Sequence, residues 1–409
     1  MAQLALKGGQ KAKTKPFPPW PFYDDREKQA LVEVLESRIW WRTPGTHTKA
    51  FEEEFAAYQG AKHGIAVTNG THALEVVFHA LGLGPGDEVI VPDFTFVATA
   101  SAVLSTGAVP VLVDVEPDTY CIDPDLALKA ITSRTRAIVC VHMGGHPADL
   151  DRLVEIAGKR GLALVEDSAH AHSSEWKGKK VGTFGIAGTF SFQASKLMTA
   201  GEGGAILTSD SDFERIARSV HDCGRMPDKW FYDHFIYGSN YRLSEWQGAI
   251  LRVQLSRAPE QARRRFANAK LLSGLLSKIE GITPQALDPR CTLNGHYAFI
   301  YHWDAKAFGG VSRARYIEAV KAEGIPEQAS YPPLHALDLF KNPKALERWT
   351  GRAGARRMKR AMEGRFPCTD RGAFETVWIT QTALLGDEED MHEIAAAVRK
   401  IQENAKELA

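Results

Sequence analysis

The sequence has no excess of charge of either sign. Its 409 residues include 50 lysines and arginines and 50 aspartates and glutamates, so the formal net charge is zero. Proteins that bind nucleic acid normally carry a strongly basic surface, so we predict no nucleic-acid partner. Hydrophobic residues make up 44% of the chain. Such a composition without surplus charge is typical of a folded globular protein and not of a disordered one.

Cysteine is scarce, and the few cysteines are scattered. They are Cys121, Cys140, Cys223, Cys291 and Cys368, and no two of them have Cys-x-x-Cys spacing. This odd number without paired spacing disfavours a disulfide framework and a zinc site, and it favours reduced thiols in the cytoplasm. The lysine-rich residues 1–16 are followed by no apolar core, so we predict no secretory signal.

A long hydrophobic run suited to a membrane is also missing. Residues 94–113 form an uncharged stretch of 20 residues, which is the length of a membrane span. The stretch contains Gly107, Pro110 and five serines or threonines. We therefore predict a buried helix, a glycine-containing turn and a buried strand here, and no membrane span.

Short apolar segments alternate with helical patterns between about residues 65 and 210. The apolar segments are rich in β-branched residues, as strands buried on both faces are. They span residues 65–68, 88–91, 109–115, 137–141, 163–166, 188–192 and 204–208. Helical spacing of apolar residues marks residues 72–82 and 149–161. This alternation predicts an α/β domain with a mostly parallel central sheet.

The pattern changes near residue 245. We predict a long helical segment over residues 245–279 that Pro259 kinks or breaks, with Arg263, Arg264 and Arg265 on a solvated face. Mixed strand and helix patterns follow and end in an amphipathic helix over residues 388–405. The predicted domains are an N-terminal arm (residues 1–20), a large domain (residues 21–258) and a smaller C-terminal α+β domain (residues 259–409).

The turn after the first predicted strand has the features of a phosphate site. Asn69, Gly70 and Thr71 lie between this strand and the start of a helix. Backbone N–H groups at a helix start lack partners and add to the helix dipole, so they suit an anion, and Thr71 can add a hydroxyl. A helix cap without any ligand has the same features, so both interpretations stay open.

Two carboxylates and two imidazoles follow another predicted strand. Glu166, Asp167, His170 and His172 lie at its carboxyl end, where open α/β sheets bind ligands. One interpretation is a metal site, although Glu166 and Asp167 point to opposite faces of a strand. A second is an aspartate paired with the ring nitrogen of a heterocyclic cofactor, beside a hydrogen-bonding histidine. A strand end that merely meets solvent is the third.

The segment over residues 189–204 favours the cofactor. Lys196 follows an apolar strand and precedes a glycine-rich turn. Low-dielectric surroundings lower the pKa of a lysine and make its amine a nucleophile toward aldehydes. An aspartate at a strand end with a lysine 29 residues later suits pyridoxal 5′-phosphate, PLP. The lysine would make a Schiff base, and the aspartate would keep the pyridine nitrogen protonated.

Six blocks occur in order along the chain: TNGTHAL, VIVPDFTFVATASAV, VHMGGHPADLD, EDSAHAH, TFSFQASKLMTAGEGGAILT and GSNYRLSEWQGAI. Together they resemble the DegT/DnrJ/EryC1/StrS family of PLP-dependent sugar aminotransferases. The resemblance covers about residues 30–255 and continues more weakly to the end. It implies an α/β protein of PLP-dependent transferase fold type I, with a large domain around a mostly parallel sheet and a smaller C-terminal α+β domain.

The resemblance implies roles for residues around the cofactor ring. Lys196 would hold PLP and then shuttle a proton between the substrate carbon and the cofactor. Asp167 would pair with the pyridinium nitrogen, and His170 would face the phenolic oxygen. Phe96 would stack above the ring and Ala169 would pack beneath it. Sugar dehydratases of the family typically have histidine in place of Lys196, so this lysine favours transamination.

The phosphate contacts are implied in the same way. Gly70, Thr71 and Ser191 would bind the phosphate within one subunit. Asn240, in the GSNYR segment, would reach the phosphate across a dimer interface. The resemblance therefore implies an obligate homodimer, which agrees with the prevalence of twofold oligomers.

The implied activity is a ping-pong transfer of an amino group from L-glutamate or L-glutamine to a cyclic keto sugar or keto-cyclitol. Such reactions supply amino sugars, antibiotics or polysaccharide precursors. The segment SFQASKLMTAGEGG resembles aminocyclitol and amino-sugar aminotransferases, and equally 3-amino-5-hydroxybenzoate synthases, which dehydrate and aromatise a cyclic amino ketone. A synthase of that type, a non-catalytic PLP-binding regulator, and a metal hydrolase built on the carboxylates and imidazoles near residue 167 remain alternatives.

Three further features each have two interpretations. Residues 351–365 contain six lysines and arginines, which form either a solvated helix face or a patch that attracts a phosphorylated or nucleotide-linked substrate. Tyr331 and His335 either line the substrate pocket, as the resemblance implies, or pack in the core. His142 and His146, near a strand end, are candidates for the border of the active site.

Overall fold

The computed structural model describes residues 3–226 and 229–408; residues 1, 2, 227, 228 and 409 lie outside the described part. The strands are β1 (His63–Val67), β2 (Glu88–Pro92), β3 (Val109–Val113), β4 (Thr135–Val141), β5 (Ala163–Asp167), β6 (Glu175–Trp176), β7 (Lys179–Lys180), β8 (Ala187–Ser191), β9 (Gly204–Thr208), β10 (Ile282–Pro284), β11 (Cys291–Leu293), β12 (Ala298–Trp303), β13 (Glu327–Ala329) and β14 (Thr376–Thr380). The α-helices are α1 (Asp25–Ser37), α2 (His47–Gln59), α3 (Gly70–Ala80), α4 (Ala98–Ser105), α5 (Pro124–Ala130), α6 (Leu150–Arg160), α7 (Ser211–His221), α8 (Glu245–Leu276), α9 (Arg313–Ala322), α10 (Asp338–Lys341), α11 (Pro343–Met362), α12 (Pro367–Phe374) and α13 (Glu388–Glu403).

Seven strands form the large sheet, in the order β1-β9-β8-β5-β4-β2-β3. The pairs β2–β3, β2–β4, β4–β5 and β5–β8 are parallel, whereas β9 runs antiparallel to both of its neighbours. The mostly parallel sheet predicted from the sequence is therefore confirmed. All seven predicted strands are present, and their ends differ from prediction by two residues or fewer.

Alternating residues of the central strands enter two different cores. Val89, Val139 and Val165 face the core shared with helices α3, α4 and α7. Ile90 and Ile138 face the core on the opposite side of the sheet. Side chains of a strand alternate between its faces, so a strand covered on both sides must be apolar throughout. The continuous apolar segments of the sequence reflect this requirement.

A second, four-stranded sheet has the order β10-β12-β14-β13, and all of its pairs are antiparallel. The N-terminal segment packs beside it. The amine of Lys13 is buried there and forms ion pairs with Asp390 and Glu393 of α13. Removing the partners of a buried charge is costly, so these contacts fix the N-terminal segment on the C-terminal part of the chain.

The C-terminal part of the chain does not pack as one unit. Leu334, Phe340, Leu346, Met358 and Phe366 belong to the core that covers one face of the large sheet. Residues 334–366 thus pack on one face of the large sheet, although they lie far beyond residue 258 in the sequence. The predicted domain boundaries at residues 20 and 258 remain a proposal. Residues 334–366 lie after the second boundary in sequence but pack with the large domain.

The helix around Pro259 differs from the prediction. Helix α8 continues for 32 residues with Pro259 inside it, so the predicted break is wrong. A proline removes one backbone hydrogen bond from the helix. Helix α8 packs against α1, α2 and α13 along its length. We attribute its continuity to this packing, because tertiary contacts override local propensity.

The predicted exposure of the three arginines in α8 is correct for two of them. Arg263 and Arg264 are exposed, but Arg265 is buried. The guanidinium of Arg265 donates hydrogen bonds to Oε1 of Gln381 at 2.9 and 2.6 Å. Burial lowers the pKa of Arg265 to about 9. Consecutive residues of a helix point in directions about 100° apart, so three adjacent arginines cannot share one narrow face.

The uncharged stretch over residues 94–113 forms the predicted helix, turn and strand, namely α4, Gly107 and β3. Gly107 has a φ of 81°, which is the left-handed conformation that a turn of this kind requires. Within residues 3–226 and 229–408, we find no helix with the length and apolar content needed to cross a membrane.

A buried carboxyl group makes the stability of the C-terminal sheet dependent on pH. Glu327 is 2% exposed, and its Oε1 accepts a hydrogen bond from the Tyr301 hydroxyl at 2.5 Å. Burial raises the pKa of Glu327 to about 8. In the unfolded chain the group titrates near its ordinary value, so the folded state binds the extra proton between these two pH values. Stability is therefore lost as pH rises toward 8.

We predict that Glu327→Gln removes much of this pH dependence. Thermal unfolding of the wild type should show a Tm that falls between pH 5.5 and pH 8.5. The Tm of the variant should decrease less over this range. At pH 8.5 the free energy of unfolding of the variant should be higher than that of the wild type by about 2 kcal/mol. Glu318→Gln, on the exposed surface of α9, serves as the control. Identical Tm profiles for wild type and Glu327→Gln would contradict the prediction.

Candidate active site

A cavity of about 590 Å³ opens at the carboxyl ends of the parallel strands. The segments that follow β1, β2, β5 and β8 supply its walls, and the segment before β12 closes one side. Parallel strands bring their carboxyl ends to one edge of a sheet, and ligands of such sheets bind there. The cavity brings together eight of the nine predicted site residues: Gly70, Thr71, Phe96, Asp167, Ala169, His170, Ser191 and Lys196.

Asp167 ends β5 at the floor of the cavity and is 7% exposed. Its Oδ2 accepts a hydrogen bond from the Thr99 hydroxyl at 2.8 Å, and its Oδ1 accepts one from the backbone N–H of Ala169 at 3.2 Å. The Thr99 hydroxyl also lies 2.9 Å from that of Thr95. Burial raises the pKa of Asp167, and the hydrogen bonds from Thr99 and Ala169 and attraction to Lys196 oppose this effect only in part. A cationic group in the cavity would relieve this cost.

Lys196 extends into the same cavity from the loop after β8. Its amine lies 4.2 Å from the centre of the Tyr297 ring. Burial lowers the pKa of Lys196, and attraction to Tyr297 and Asp167 opposes this effect only in part. A lower pKa leaves more of the amine unprotonated at neutral pH, which is the nucleophilic form.

His170 lies between two tyrosines. Its ring is stacked on Tyr297 with the centroids 4.0 Å apart, and its Nε2 lies 3.2 Å from the Tyr331 hydroxyl. Nδ1 of His170 is buried and has no hydrogen-bond partner within the part of the chain that the structure describes. Burial lowers the pKa of His170 well below its usual value, so the imidazole is neutral at neutral pH. An unpaired buried nitrogen is costly unless a ligand satisfies it.

The turn at Gly70 forms a cradle at the start of α3. The Asn69 side chain caps this helix and accepts a hydrogen bond from the backbone N–H of His72 at 2.8 Å. A Cβ atom at Gly70 would lie 2.8 Å from Cβ of Ser191, which is closer than real side chains approach. Glycine is therefore required for the two segments to meet, and the helix start with its free N–H groups faces the cavity.

Phe96 and Ala169 line the cavity, as predicted, on different segments. The ring of Phe96 is 53% exposed and lies 5.7 Å from that of Tyr331, centroid to centroid. An aromatic face left open beside a buried carboxylate is suited to stack on a planar ligand. The stacking role of Phe96 remains a prediction.

Asn240 is the predicted residue that the cavity does not include. It is exposed, and its backbone pairs with that of Asp222 in an isolated bridge. Within one subunit Asn240 therefore does not line the cavity. This position agrees with a role in the site of a neighbouring subunit, which stays a prediction.

The geometry does not support the metal-hydrolase alternative. Glu166 points away from Asp167, and its carboxylate accepts backbone N–H groups of Gly182 at 2.7 Å and Phe184 at 2.6 Å. His172 is buried between the rings of Phe190 and Phe192. Among the described residues, no three histidine, cysteine, aspartate or glutamate side chains converge to hold a metal ion.

Tyr331, His335, His142 and His146 were candidates for the substrate pocket or its border, and the structure places one of them in the cavity. Tyr331 lines the cavity, as the resemblance implied. His335 does not line it, since its Nδ1 lies 2.6 Å from Oδ2 of the buried Asp93. His142 and His146 are also buried outside the cavity. The first contacts Glu166 and the second accepts the backbone N–H of Asp288.

The basic residues over 351–365 lie mostly on the exposed side of α11. Arg352 pairs with Glu347 at 2.7 Å, and Arg357 lies 3.4 Å from Glu88. None of these residues lines the 590 Å³ cavity. The arrangement favours the solvated helix face over a substrate patch beside the active site.

Sequence patterns missed two residues that shape the cavity. Thr99 holds Asp167 from α4, and Tyr297 contacts Lys196 from the segment before β12. Thr99 follows Thr95 by one helical turn, and this spacing is a signal that could have placed both hydroxyls on one face. Tyr297 lies 101 residues after Lys196 in a segment without a distinctive local pattern, so the sequence offers no comparable signal for it.

Comparison with known proteins decides the family. The profile of the DegT/DnrJ/EryC1/StrS aminotransferase family matches residues 21–399. The chain belongs to this family. The predicted family and enzyme class are thereby confirmed: the protein is an aminotransferase.

Individual members of the DegT/DnrJ/EryC1/StrS family are similar over the whole chain. The 3-amino-5-hydroxybenzoate synthase of Amycolatopsis mediterranei is 41% identical over 391 residues, which cover 94% of this chain and 97% of that protein. The L-glutamine:2-deoxy-scyllo-inosose aminotransferase of Streptomyces fradiae is 39% identical over 426 residues and 100% of both chains. A crystal structure of 3-amino-5-hydroxybenzoic acid synthase superposes with a TM-score of 0.86 at 40% identity, covering 96% of this chain and 100% of that one.

The solved structures confirm the predicted fold class. Their α/β architecture, with a large mostly parallel sheet, is that of fold type I aminotransferases. The relatives include both branches that the sequence suggested, the keto-inosose aminotransferases and the aminobenzoate synthases. They give no support to a non-catalytic regulator.

We predict that Lys196→Ala abolishes transamination, with a decrease in rate of about 10³-fold or more, because the variant loses the amine that is expected to move protons at the reacting carbon. Lys196→Arg should be similarly inactive, since a guanidinium stays protonated. Lys278→Ala, at an exposed lysine after α8, is the matched control and should keep the wild-type rate. Turnover by Lys196→Ala at the wild-type rate would rule out this role.

Proposed function

We propose that the protein uses PLP to transfer an amino group from L-glutamine or L-glutamate to a cyclic keto-cyclitol or keto sugar. One observation carries the proposal: the amine of Lys196, the carboxylate of Asp167 and the cradle at Gly70 line a single cavity. These are the three groups that a PLP enzyme needs, namely an amine for the aldehyde, an acid for the ring nitrogen and an anion site for the phosphate.

The residues present fit PLP in three independent places. Nδ1 of His170 is buried without a partner, on a ring that faces the cavity, and a phenolic oxygen could satisfy it. The buried carboxylate of Asp167 has no ion-pair partner among the described residues and would accept a hydrogen bond from the ring nitrogen. The close approach of Gly70 and Ser191 excludes any side chain at Gly70, and both residues line the cavity beside the helix start, where backbone N–H groups would bind a phosphate.

When bound, PLP supplies an electron-withdrawing ring that stabilises negative charge at the carbon where the proton is exchanged. The remaining work falls to side chains of the chain itself. The Lys196 amine would move a proton from the donor's carbon to the cofactor in the first half of the reaction, and from the cofactor to the acceptor's carbon in the second half. Asp167 holds a proton on the ring nitrogen, and Thr99 holds Asp167 in place through its hydrogen bond of 2.8 Å.

The lining of the cavity supports a neutral acceptor. Among the described residues that line it, Lys196 is the one lysine or arginine. A diphosphate carries charges that proteins normally bind with several cationic side chains. A polyhydroxylated ring needs hydrogen-bonding groups instead, and Gln193, Ser195 and Glu202 line the opening of the cavity. We therefore favour a keto-cyclitol over a nucleotide-linked keto sugar.

Two relatives point to different final products. The Streptomyces fradiae relative is an L-glutamine:2-deoxy-scyllo-inosose aminotransferase, which supports L-glutamine as donor and a keto-inosose as acceptor. The Amycolatopsis mediterranei relative is a 3-amino-5-hydroxybenzoate synthase, at a similar identity of 41%. An aminobenzoate-forming dehydratase and aromatase is thus the second candidate function. The product distinguishes the two, because only the second yields an aromatic chromophore.

The cofactor site is proposed to be completed by a homodimer. A group of large apolar side chains is exposed around the start of α8 and the preceding loop: Val32, Leu35, Trp40, Trp41, Phe231, Phe235 and Tyr237. The rings of Trp41 and Phe231 contact each other at 6.2 Å. Contiguous apolar surface of this kind marks interaction sites in soluble proteins. Asn240 lies beside this loop and would reach the phosphate in the partner subunit.

The five cysteines support a reducing compartment. All five are free thiols in the structure, and three of them are buried. Free thiols persist in the cytoplasm, where glutathione and thioredoxin keep them reduced. We propose a cytoplasmic location on this ground.

We predict that the PLP-loaded protein, with L-glutamine as donor, uses 2-deoxy-scyllo-inosose with a kcat/KM at least about tenfold higher than that for a nucleotide-linked keto sugar. Mass spectrometry of the product would measure this, with Lys196→Ala as the blank. Preference for the nucleotide-linked ketone would contradict the neutral-acceptor proposal. Formation of a product with a new aromatic absorbance from a cyclic amino ketone would instead establish the aminobenzoate branch.

We predict that inactive subunits restore each other when mixed. Lys196→Ala and Asn240→Ala homodimers should both be impaired, the second through weaker PLP binding. In a hybrid dimer, both substitutions fall on one site and the other site is wild type, so activity should recover after subunit exchange. If Asn240 acts within its own subunit, no site in the hybrid is intact and activity stays low. Size-exclusion chromatography with light scattering would verify that each variant is a dimer.

A further inference from the structure

We propose that Tyr297 is a positioning residue that holds the free amino group of Lys196 at the wall of the cavity while the lysine is not bonded to the cofactor. The inference rests on the proposed function, in which Lys196 is bonded to the cofactor at rest and is released as a free amine when the substrate takes its place. A released amine needs a defined position, because it must return protons to carbon atoms within reach. Tyr297 provides that position.

The geometry around the amine supports this role. Nζ of Lys196 lies 4.2 Å from the centroid of the Tyr297 ring, a distance at which an ammonium group is attracted by an aromatic face. The Tyr297 hydroxyl lies 3.0 Å from Oγ of Ser195, the residue next to Lys196. One tyrosine therefore contacts both the lysine amine and the loop that carries the lysine.

Tyr297 is itself held firmly in place. Its side chain is 9% exposed, and its ring is stacked on His170 at 4.0 Å with an angle of 17° between the planes. The segment before β12 delivers it to the cavity from a part of the chain remote from the motifs around residues 167 and 196. Burial and stacking restrict the Tyr297 ring to one position, whereas the long side chain of Lys196 can change conformation.

The proton balance of this step is simple. In the first half of the reaction, Lys196 would accept one proton from the donor's carbon and deliver it to the cofactor. In the second half it would accept that proton back and deliver it to the acceptor's carbon. Tyr297 exchanges no proton and forms no covalent bond in the scheme. Its contribution is to attract the protonated amine while the amine is free and to keep it within reach of the reacting carbon.

The direction of the pKa shift of Lys196 agrees with its contact with Tyr297. Burial lowers the pKa of Lys196, while Tyr297 and Asp167 raise it in part. The titratable groups that face the amine are Asp167, His170, His172 and Tyr297. Removal of the Tyr297 hydroxyl should therefore shift the titration of Lys196 to lower pH.

The test measures capture of PLP by the apoprotein as a function of pH. In this step the lysine nitrogen replaces the aldehyde oxygen of PLP, a carbon–nitrogen double bond forms and one water leaves. Only the unprotonated amine reacts, so the rate reports the titration of Lys196. We expect the midpoint of the rate profile to move to lower pH by about half a unit or more in Tyr297→Phe, and further in Tyr297→Leu, which also loses the ring.

The matched control is Tyr58→Phe. The hydroxyl of Tyr58 also bonds a serine, with 2.8 Å to Oγ of Ser173, but Tyr58 lies outside the cavity. The midpoint of the pH profile for PLP capture by Tyr58→Phe should equal that of the wild type. Steady-state kinetics of the loaded Tyr297→Phe enzyme should show a kcat about tenfold lower with little change in KM, because the lost contact acts on the released amine.

The outcomes separate this inference from the proposed function. If the wild-type apoprotein captures no PLP, the proposed function fails. If the wild type captures PLP and Lys196→Ala does not, but Tyr297→Phe and Tyr297→Leu keep the wild-type midpoint, the role of Tyr297 alone is overturned. Circular dichroism and thermal unfolding identify the variants that are folded. A wild-type midpoint in folded Tyr297→Leu, which lacks both the hydroxyl and the ring, is sufficient to reject the role; if Tyr297→Leu is not folded, the midpoint of Tyr297→Phe decides.

Discussion

The parallel pairing of β5 with β4 and β8 is the constraint on which the rest of the site depends. It places Asp167 at one end of a strand that is buried on both faces, so its carboxylate enters a cavity and not solvent. The same pairing sets Ser191 and the loop of Lys196 at the same edge. A buried lysine and a buried aspartate in one cavity shift each other's proton affinity, and burial has the larger effect on both. The strand order of the sheet therefore determines which ionisable side chains share the cavity, and individual contacts then adjust their pKa values.

Much of the fold and the core of the site could be predicted from the sequence, because the signals are local. The apolar strands had to be continuous for burial on both faces, and the residues after each strand had to meet at one edge. Lys196 and Asp167 stood out because each follows such a strand. Their expected roles rest on the family resemblance, and the structure adds that both groups share one cavity with the Gly70 turn.

The rest depended on contacts between distant parts of the chain. Tyr297 could not be assigned from local pattern, and the spacing of Thr95 and Thr99 alone did not show that Thr99 contacts Asp167, because both roles come from what the side chain packs against. Pro259 and Arg265 were misjudged for the same reason: the packing of α8 keeps the helix continuous, and Gln381 satisfies the buried guanidinium. Asn240 differs again, since its proposed partner is in another subunit and no single chain contains the contact.

The buried ion pair of Lys13 has a consequence for how the chain is made. Its partner Asp390 lies 377 residues later in the sequence. At a synthesis rate of 5–20 residues per second, that separation corresponds to a wait of roughly 20–80 s between the appearance of the two groups. The last strand of the large sheet ends at Thr208, so this sheet has all of its strands well before Asp390 is made, whereas Lys13 has no partner on α13 until then. The N-terminal segment can therefore gain its ion pairs with α13 only after nearly the whole chain has been made.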